Sequence, residues 1–373
     1  MVRPSPVRGD RLPLLTDRVC RVAARARSGQ SCGVKGRLAA ACIAVLTSIV
    51  VSPAVAPAAA RAAQPEPLLT RERAMQVLRQ FERANARNNG SLGVEGQGAI
   101  ESPPIQLIDD ANFREVRNRG GKSLGNQGTV KRRRVFVPNQ AQYPLEFLAS
   151  ERVSDGSRQL LLFTRPTEAD KWKVSTAAQL VTGPVPELVQ DRAGYAARLD
   201  ADHAAALKLA PEQLAPALAD LWARSEKGAA PKSELFESGL LTTEAVNAFV
   251  GVLAASGIDG EVSFGFEPAP FPVVSYAATG GRALVVFAVA VHETIQPTGG
   301  AGALEQPRSR GVFGGLVVPG RYATVRYDRL MLLAAVVPPG GTSARVRVIG
   351  QYAGIVGAET TPADDLGGGG VTA

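Results

Sequence analysis

Two histidines, His203 and His292, stand 89 positions apart in a chain of 373 residues. Either imidazole could move protons near neutral pH. His203 sits in Asp202-His203-Ala204, a polar helix-like stretch that reads as surface. His292 closes the apolar run Leu284–Val291 beside Glu293, so His292 and Glu293 form the catalytic candidate, at the mouth of a sheet. The commoner role of such a histidine is to face solvent or accept one hydrogen bond. The two histidines lie at neither i,i+2 nor i,i+4, which leaves no metal site and no cofactor expected.

Gly121-Lys122-Ser123-Leu124-Gly125 fits G-x-S-x-G, where a strained strand-to-helix turn would expose a nucleophilic serine. Its flanks, Arg117-Asn118-Arg119-Gly120 and Asn126-Gln127-Gly128, read instead as a polar loop. Gly121-Lys122-Ser123 also echoes a phosphate loop, but Val116 stands where that motif needs glycine. The densest charge run past the first 62 residues is Lys131, Arg132, Arg133 and Arg134. On a strand, Arg132 and Arg134 share a face with Phe136, and Lys131 and Arg133 share one with Val135. The run could grip an anionic surface. An edge strand guarded by its charges is the favoured account.

These residues need a compartment and a scaffold. The formal charge of +8 comes from 42 basic and 34 acidic residues. Residues 1–62 hold ten Lys/Arg against Asp10 and Asp17, so the remainder carries 32 of each sign. That balance excludes a nucleic-acid partner. Arg37 precedes the apolar run Leu38–Val51, which suits a signal-peptide core, and Ala60-Arg61-Ala62 supplies an A-x-A site. An uncleaved anchor is the alternative, giving membrane contact through the leader alone. Cys20, Cys32 and Cys42 all precede Ala62, so the processed chain has no disulfide. Only four residues separate Arg37 from Cys42, too few for a lipidation signal there.

The pattern predicts an α+β fold of two pseudo-repeated units, each with helices on an antiparallel sheet, at 63–190 and 191–361, after a leader at 1–62 and before a disordered tail at 362–373. A helix spans Arg71 to about Asn88, capped by Thr70, with Ala74, Val77, Leu78 and Phe81 on one face. A short helix falls at 109–117, and strands at 129–137, 144–153, 158–165 and 172–181. The second unit has helices from Pro211 and Thr243, then strands at 261–266, 273–278, 283–293, 323–337 and 345–356. The apolar runs Leu284–Val291 and Leu330–Val337 read as central strands covered on both faces. Both units carry aromatic-Pro, an aromatic three or four residues on, then Arg-x-Leu-x-x-Phe: Tyr143-Pro144, Phe147, Arg158, Leu160, Phe163, and Phe271-Pro272, Tyr276, Arg282, Leu284, Phe287. Trp172 and Trp222 read as core.

Several stretches resemble a family of uncharacterised actinobacterial exported proteins, many of them predicted lipoproteins, recognised only as a domain of unknown function. They are Arg73-Ala74 through Phe81, Val135-Phe136-Val137-Pro138, Tyr143-Pro144 with Phe147-Leu148-Ala149, Leu161–Arg165, Trp172–Ser175, Val185-Pro186-Glu187, Gly194-Tyr195-Ala196, Gly281–Leu284 and Val346–Gln351. The resemblance implies an envelope location and carries over no catalytic residue. The lipidated relatives end their apolar core in cysteine, where this chain has Ala60-Arg61-Ala62.

The expected protein is therefore an exported, non-catalytic binding or scaffolding module with an unknown envelope partner. The alternative is a hydrolase or small-ligand enzyme with its site on the concave face of one sheet near His292. Mass analysis of exported protein should find its N-terminus within a few residues of Ala63, and a full-length membrane-embedded product would defeat that expectation.

Overall fold

Thr70 begins the first helix by accepting a hydrogen bond from Arg73 N at 3.2 Å, as the cap position predicts. A computed structural model of the chain describes residues 66–363 except 125–127, 226–230, 256–259, 299–302, 307–315 and 318–319. The expected leader and the tail beyond Ala363 lie outside the described residues. Helix α1 (Arg71–Ser91) buries Ala74, Val77, Leu78 and Phe81. It overruns the expected stop at Asn88 to Gly90 and ends where Leu92 turns left-handed at φ 54°. Helix α2 (Val94–Gly98) follows, and α3 (Ile105–Asn118) starts after Pro103-Pro104, earlier than the expected Asp109.

Four strands then form an antiparallel meander: β1 (Val130–Phe136), β2 (Leu145–Val153), β3 (Arg158–Arg165) and β4 (Lys173–Leu180). After the short α4 (Ala201–Ala205), Pro211 opens a single 3-10 turn leading into α5 (Leu214–Ala223). Helix α6 (Ala245–Ala255) precedes six strands: β5 (Glu261–Pro268), β6 (Val274–Ala278), β7 (Arg282–Gln296), β8 (Leu304–Gln306), β9 (Gly320–Val337) and β10 (Arg347–Pro362).

All ten strands belong to one sheet in the order β1-β2-β3-β4-β10-β9-β7-β5, with β6 on β7 and β8 on β9. The strands of the two expected units thus meet where β4 pairs with β10, at Leu180 with Gly350 and Gln179 with Gln351. The far ends approach each other as well. Pro138, just past β1, bridges Ala196, and Arg198 bridges Tyr276 on β6. The sheet therefore curls into an incompletely closed ring. Its interior is filled by Phe136, Leu148, Leu160 and Leu162 from the meander against Tyr276, Leu284, Val286, Ala334 and Val336.

Alternation along the strands gives the ring two outer layers. Val285, Phe287 and Val289 of β7 pack with Leu218, Leu221 and Trp222 of α5. Leu161 and Phe163 of β3 pack with Val77, Leu78 and Phe81 of α1, and Ile108 of α3 joins them. Being buried on both sides, β7 and β9 can be continuously apolar, as expected. The two matching aromatic-Pro signatures fall on the hairpins β2–β3 and β6–β7, yet their registers differ. Phe147 faces Phe163, whereas Tyr276 faces Leu284 and Phe287 turns to the α5 side.

Phe287 is 2% exposed. Truncating it to alanine should cost about 3–5 kcal/mol, since the ring leaves a cavity between β7 and α5. Chemical denaturation checks this, and a loss under about 1 kcal/mol would contradict the burial.

Candidate functional site

His292 lies within β7 rather than at its end, because the strand continues to Gln296. Register sets Gly265 of β5, His292 of β7, Asp328 of β9 and Gly357 of β10 side by side across four strands. His292 Nδ1 meets Asp328 Oδ1 at 2.6 Å, and Nε2 meets Glu267 Oε1 at 3.2 Å. Arg326 Nη2 reaches Asp328 Oδ1 at 3.2 Å. Burial disfavours the imidazolium, but the hydrogen bonds to Asp328 and Glu267 outweigh it and raise the His292 pKa. The side chain is 28% exposed. With a carboxylate against each nitrogen and Arg326 Nη2 at 3.1 Å from Nδ1, His292 is a member of an ion cluster rather than a free general base.

Glu293, the other expected partner, points to the opposite face, as adjacent strand residues must. It is fully buried and accepts from Arg329 Nε at 2.5 Å, and the Arg329 guanidinium sits 5.9 Å from the Phe249 ring centre. The structure thus separates His292 from Glu293 and gives each its own partners. His203 is exposed and tied to Asp200 at 2.8 Å. Gly121 to Leu124 form an irregular stretch, while Gly125 lies outside the described residues.

The cationic run is divided between two surfaces. β1 is the first strand of the sheet order, and Lys131, Arg132 and Arg134 are exposed along it. Arg134 lies 5.1 Å over the Phe136 ring. Arg133 instead grips Glu82 of α1 with two bonds, Nε to Oε1 at 2.5 Å and Nη2 to Oε2 at 2.7 Å. Burial opposes the Glu82 carboxylate, yet Arg133 prevails and lowers its pKa. Glu151 of β2, buried nearby, is pushed up to about 8 by burial and by its contact with Glu82.

Trp172 departs from its expected core role. It is half-buried and lines a cleft of about 470 Å³ between α1, the segment at Ala99-Ile100, and β3 with the turn that follows it. On α1 the lining residues Arg73, Val77, Gln80, Ala84 and Arg87 follow 4-3-4-3 spacing, a single helical stripe about 21 Å long. Phe81, Ile100, Phe163 and Trp172 supply the apolar floor. The rings interlock: Phe147 stacks on Phe163 at 4.5 Å, and Phe81 and Trp172 meet this pair edge-on at 5.5 and 5.2 Å. Arg165 is fixed by donating Nε to Asp170 O at 2.8 Å. Among the described residues, Arg73, Arg87 and Lys171 have no acidic partner.

Behind the Ala99-Ile100 wall lies a polar cluster that sequence reasoning missed. Gln97 is fully buried; its Nε2 donates to Glu101 Oε1 at 2.5 Å and Asn85 Oδ1 at 3.1 Å, with Asp109 Oδ2 at 3.4 Å. Tyr352 of β10 donates its hydroxyl to Asp109 Oδ1. Burial, and then the neighbouring Asp109 charge, push Glu101 up to about 10, while burial raises Asp109 to about 6. Near neutral pH the two carboxyls therefore share one proton.

The domain of unknown function DUF8094 matches residues 65–360. An uncharacterized lipoprotein of Streptomyces avermitilis is 32% identical over 152 residues, covering 40% of this chain and 44% of that protein. The match thus spans less than half of the relative's length. No solved structure matches the chain.

Because folding raises the Glu101 pKa from 4.5 to about 10, the folded state keeps a proton that the unfolded chain releases. That contribution to stability is complete below about 4.5 and is lost as pH rises towards 10. Glu101→Gln should melt close to the native protein at pH 5 and above it at pH 9. A difference that does not change with pH would refute the shared proton.

Proposed function

The chain belongs to the DUF8094 family, and from that premise we propose that it is an exported cell-envelope protein acting as a non-catalytic binding module. The envelope location rests on the lipoprotein relative and on the leader pattern of residues 1–62. Among the described residues no helix is long and apolar enough to cross a membrane. In this reading a signal peptide is removed near Ala62, the two α+β units descend from one repeated pattern, and the exposed Lys131, Arg132 and Arg134 guard the edge of β1. The partner is an envelope component.

The observation that carries the binding reading is the α1 cleft, where an apolar aromatic floor lies under cations without acidic partners. An enzyme reading keeps one support, the His292–Asp328 contact at 2.6 Å. It lacks a nucleophile among the described contacts of that histidine, and Glu267 takes the nitrogen a substrate would need.

Two measurements test the proposal on the full chain. In intact cells, added protease should degrade the protein, whereas a product protected until lysis would overturn the export reading. His203→Ala with His292→Ala should fold, as thermal unfolding checks, and keep the envelope phenotype of a deletion strain complemented by native protein. A folded double variant that fails to complement would promote the enzyme, which would lose roughly 100- to 10,000-fold in proton transfer.

A further inference from the structure

We propose that the α1 cleft binds a single-chain anionic amphiphile, with its hydrocarbon chain along the floor and its carboxylate or phosphate head at a cationic end. This rests on the binding reading and names its ligand class. Three observations carry it.

The first is shape. The cleft follows one helical stripe for about 21 Å, so it suits an extended ligand rather than a compact one. Its volume of about 470 Å³ falls within the range of small-molecule sites.

The second is the division of chemistry. Val77, Phe81, Ile100, Phe163 and Trp172 form the floor, and polar groups stand at the rim and ends. Gln80 stands on the stripe between the two arginines, but the buried part of the lining, from Val77 and Phe81 to Phe163, is apolar. A hydrocarbon chain needs no hydrogen-bonding groups there, and it gains by leaving water.

The third is charge. Arg73 and Arg87 close the stripe at either end and Lys171 stands across from it, opposed in the lining only by Asp170. The Asp170 carboxylate already accepts from Thr167 N at 3.0 Å and Thr167 Oγ1 at 2.7 Å. Since residues 63–373 carry equal numbers of acidic and basic groups, this local excess is a matter of placement. Charge complementarity selects an anion. A concave trough also receives a monomer more readily than a bilayer surface, which would require a protruding apolar face.

The test is calorimetric titration of the full chain with dodecanoate below its micellar concentration, followed in parallel by tryptophan fluorescence. Saturable binding is expected, with a fluorescence change that Trp172→Phe removes, because Trp222 is fully buried in the separate α5 core. Dodecan-1-ol should bind about tenfold more weakly for want of the charge, and acetate should not bind measurably. Arg73→Glu with Arg87→Glu, two surface changes, should weaken dodecanoate by about tenfold or more and leave thermal unfolding unchanged.

Equal affinity for the alcohol would overturn the anion while leaving a binding module for neutral chains. Response to phosphatidylglycerol vesicles alone would overturn the monomeric ligand in favour of a membrane surface. Absence of saturable binding by either chain-bearing probe would sink the ligand class, whereas the protease and complementation experiments decide the broader reading separately.

Discussion

Two carboxyl groups buried side by side, Glu101 and Asp109, can stay together only while one of them keeps its proton, because two adjacent anions in a low-dielectric interior repel strongly. Around that pair, Asn85 on α1, Gln97 on α2, Asp109 on α3 and Tyr352 on β10 are joined by side-chain hydrogen bonds. The helical layer is thus fastened to the sheet by polar contacts as well as by the apolar cluster around Phe81 and Ile108. A buried network of this kind is costly if half made and rigid when complete. Gly354 completes the fit, since a Cβ there would overlap Ile108 Cγ2 and lift α3 from β10.

Helix α1 serves three neighbours with three faces. Ala74, Leu78 and Phe81 enter the core, Glu82 holds Arg133 on β1, and the stripe from Arg73 to Arg87 walls the cleft. The geometry of the cleft therefore depends on two fastenings that lie outside it. One is the Arg133 fork, which sets the helix against the meander. The other is the buried network, which fixes Ala99 and Ile100 opposite the stripe.

Much of the architecture could be read along the chain, because strands such as β3 and β7 announce themselves as apolar runs and α1 shows both its cap and its face. What escaped depends on pairing between distant segments. Nothing near Leu180 signals that its neighbour is Gly350, so the two expected units gave no sign of becoming one curled sheet. His292 and Glu293 looked like partners because they are adjacent, but strand alternation sends them to opposite faces, and the real partners, Asp328 and Glu267, come from other strands. Trp172 looked like core by its apolar company, yet only its place after the turn at 165–170 leaves it at a cleft. The 4-3-4-3 stripe on α1 was present in the sequence. It could have been found by asking which helical positions repeat at that spacing with an arginine at each end.

The last strand also sets the order in which the molecule can be assembled. β10 supplies the seam with β4, 170 positions earlier, and the hydroxyl that meets Asp109, 243 positions earlier. Contacts of such separation carry a large loop-closure entropy and slow the search for the native state. Until residues 347–352 arrive, β4 has an open edge and α3, which rests on both β4 and β10, lacks the larger part of its support. The N-terminal half therefore cannot reach its final form while the chain is still emerging. A chain cut short before residue 347 would present the β4 edge unpaired, with open backbone groups that another strand could occupy.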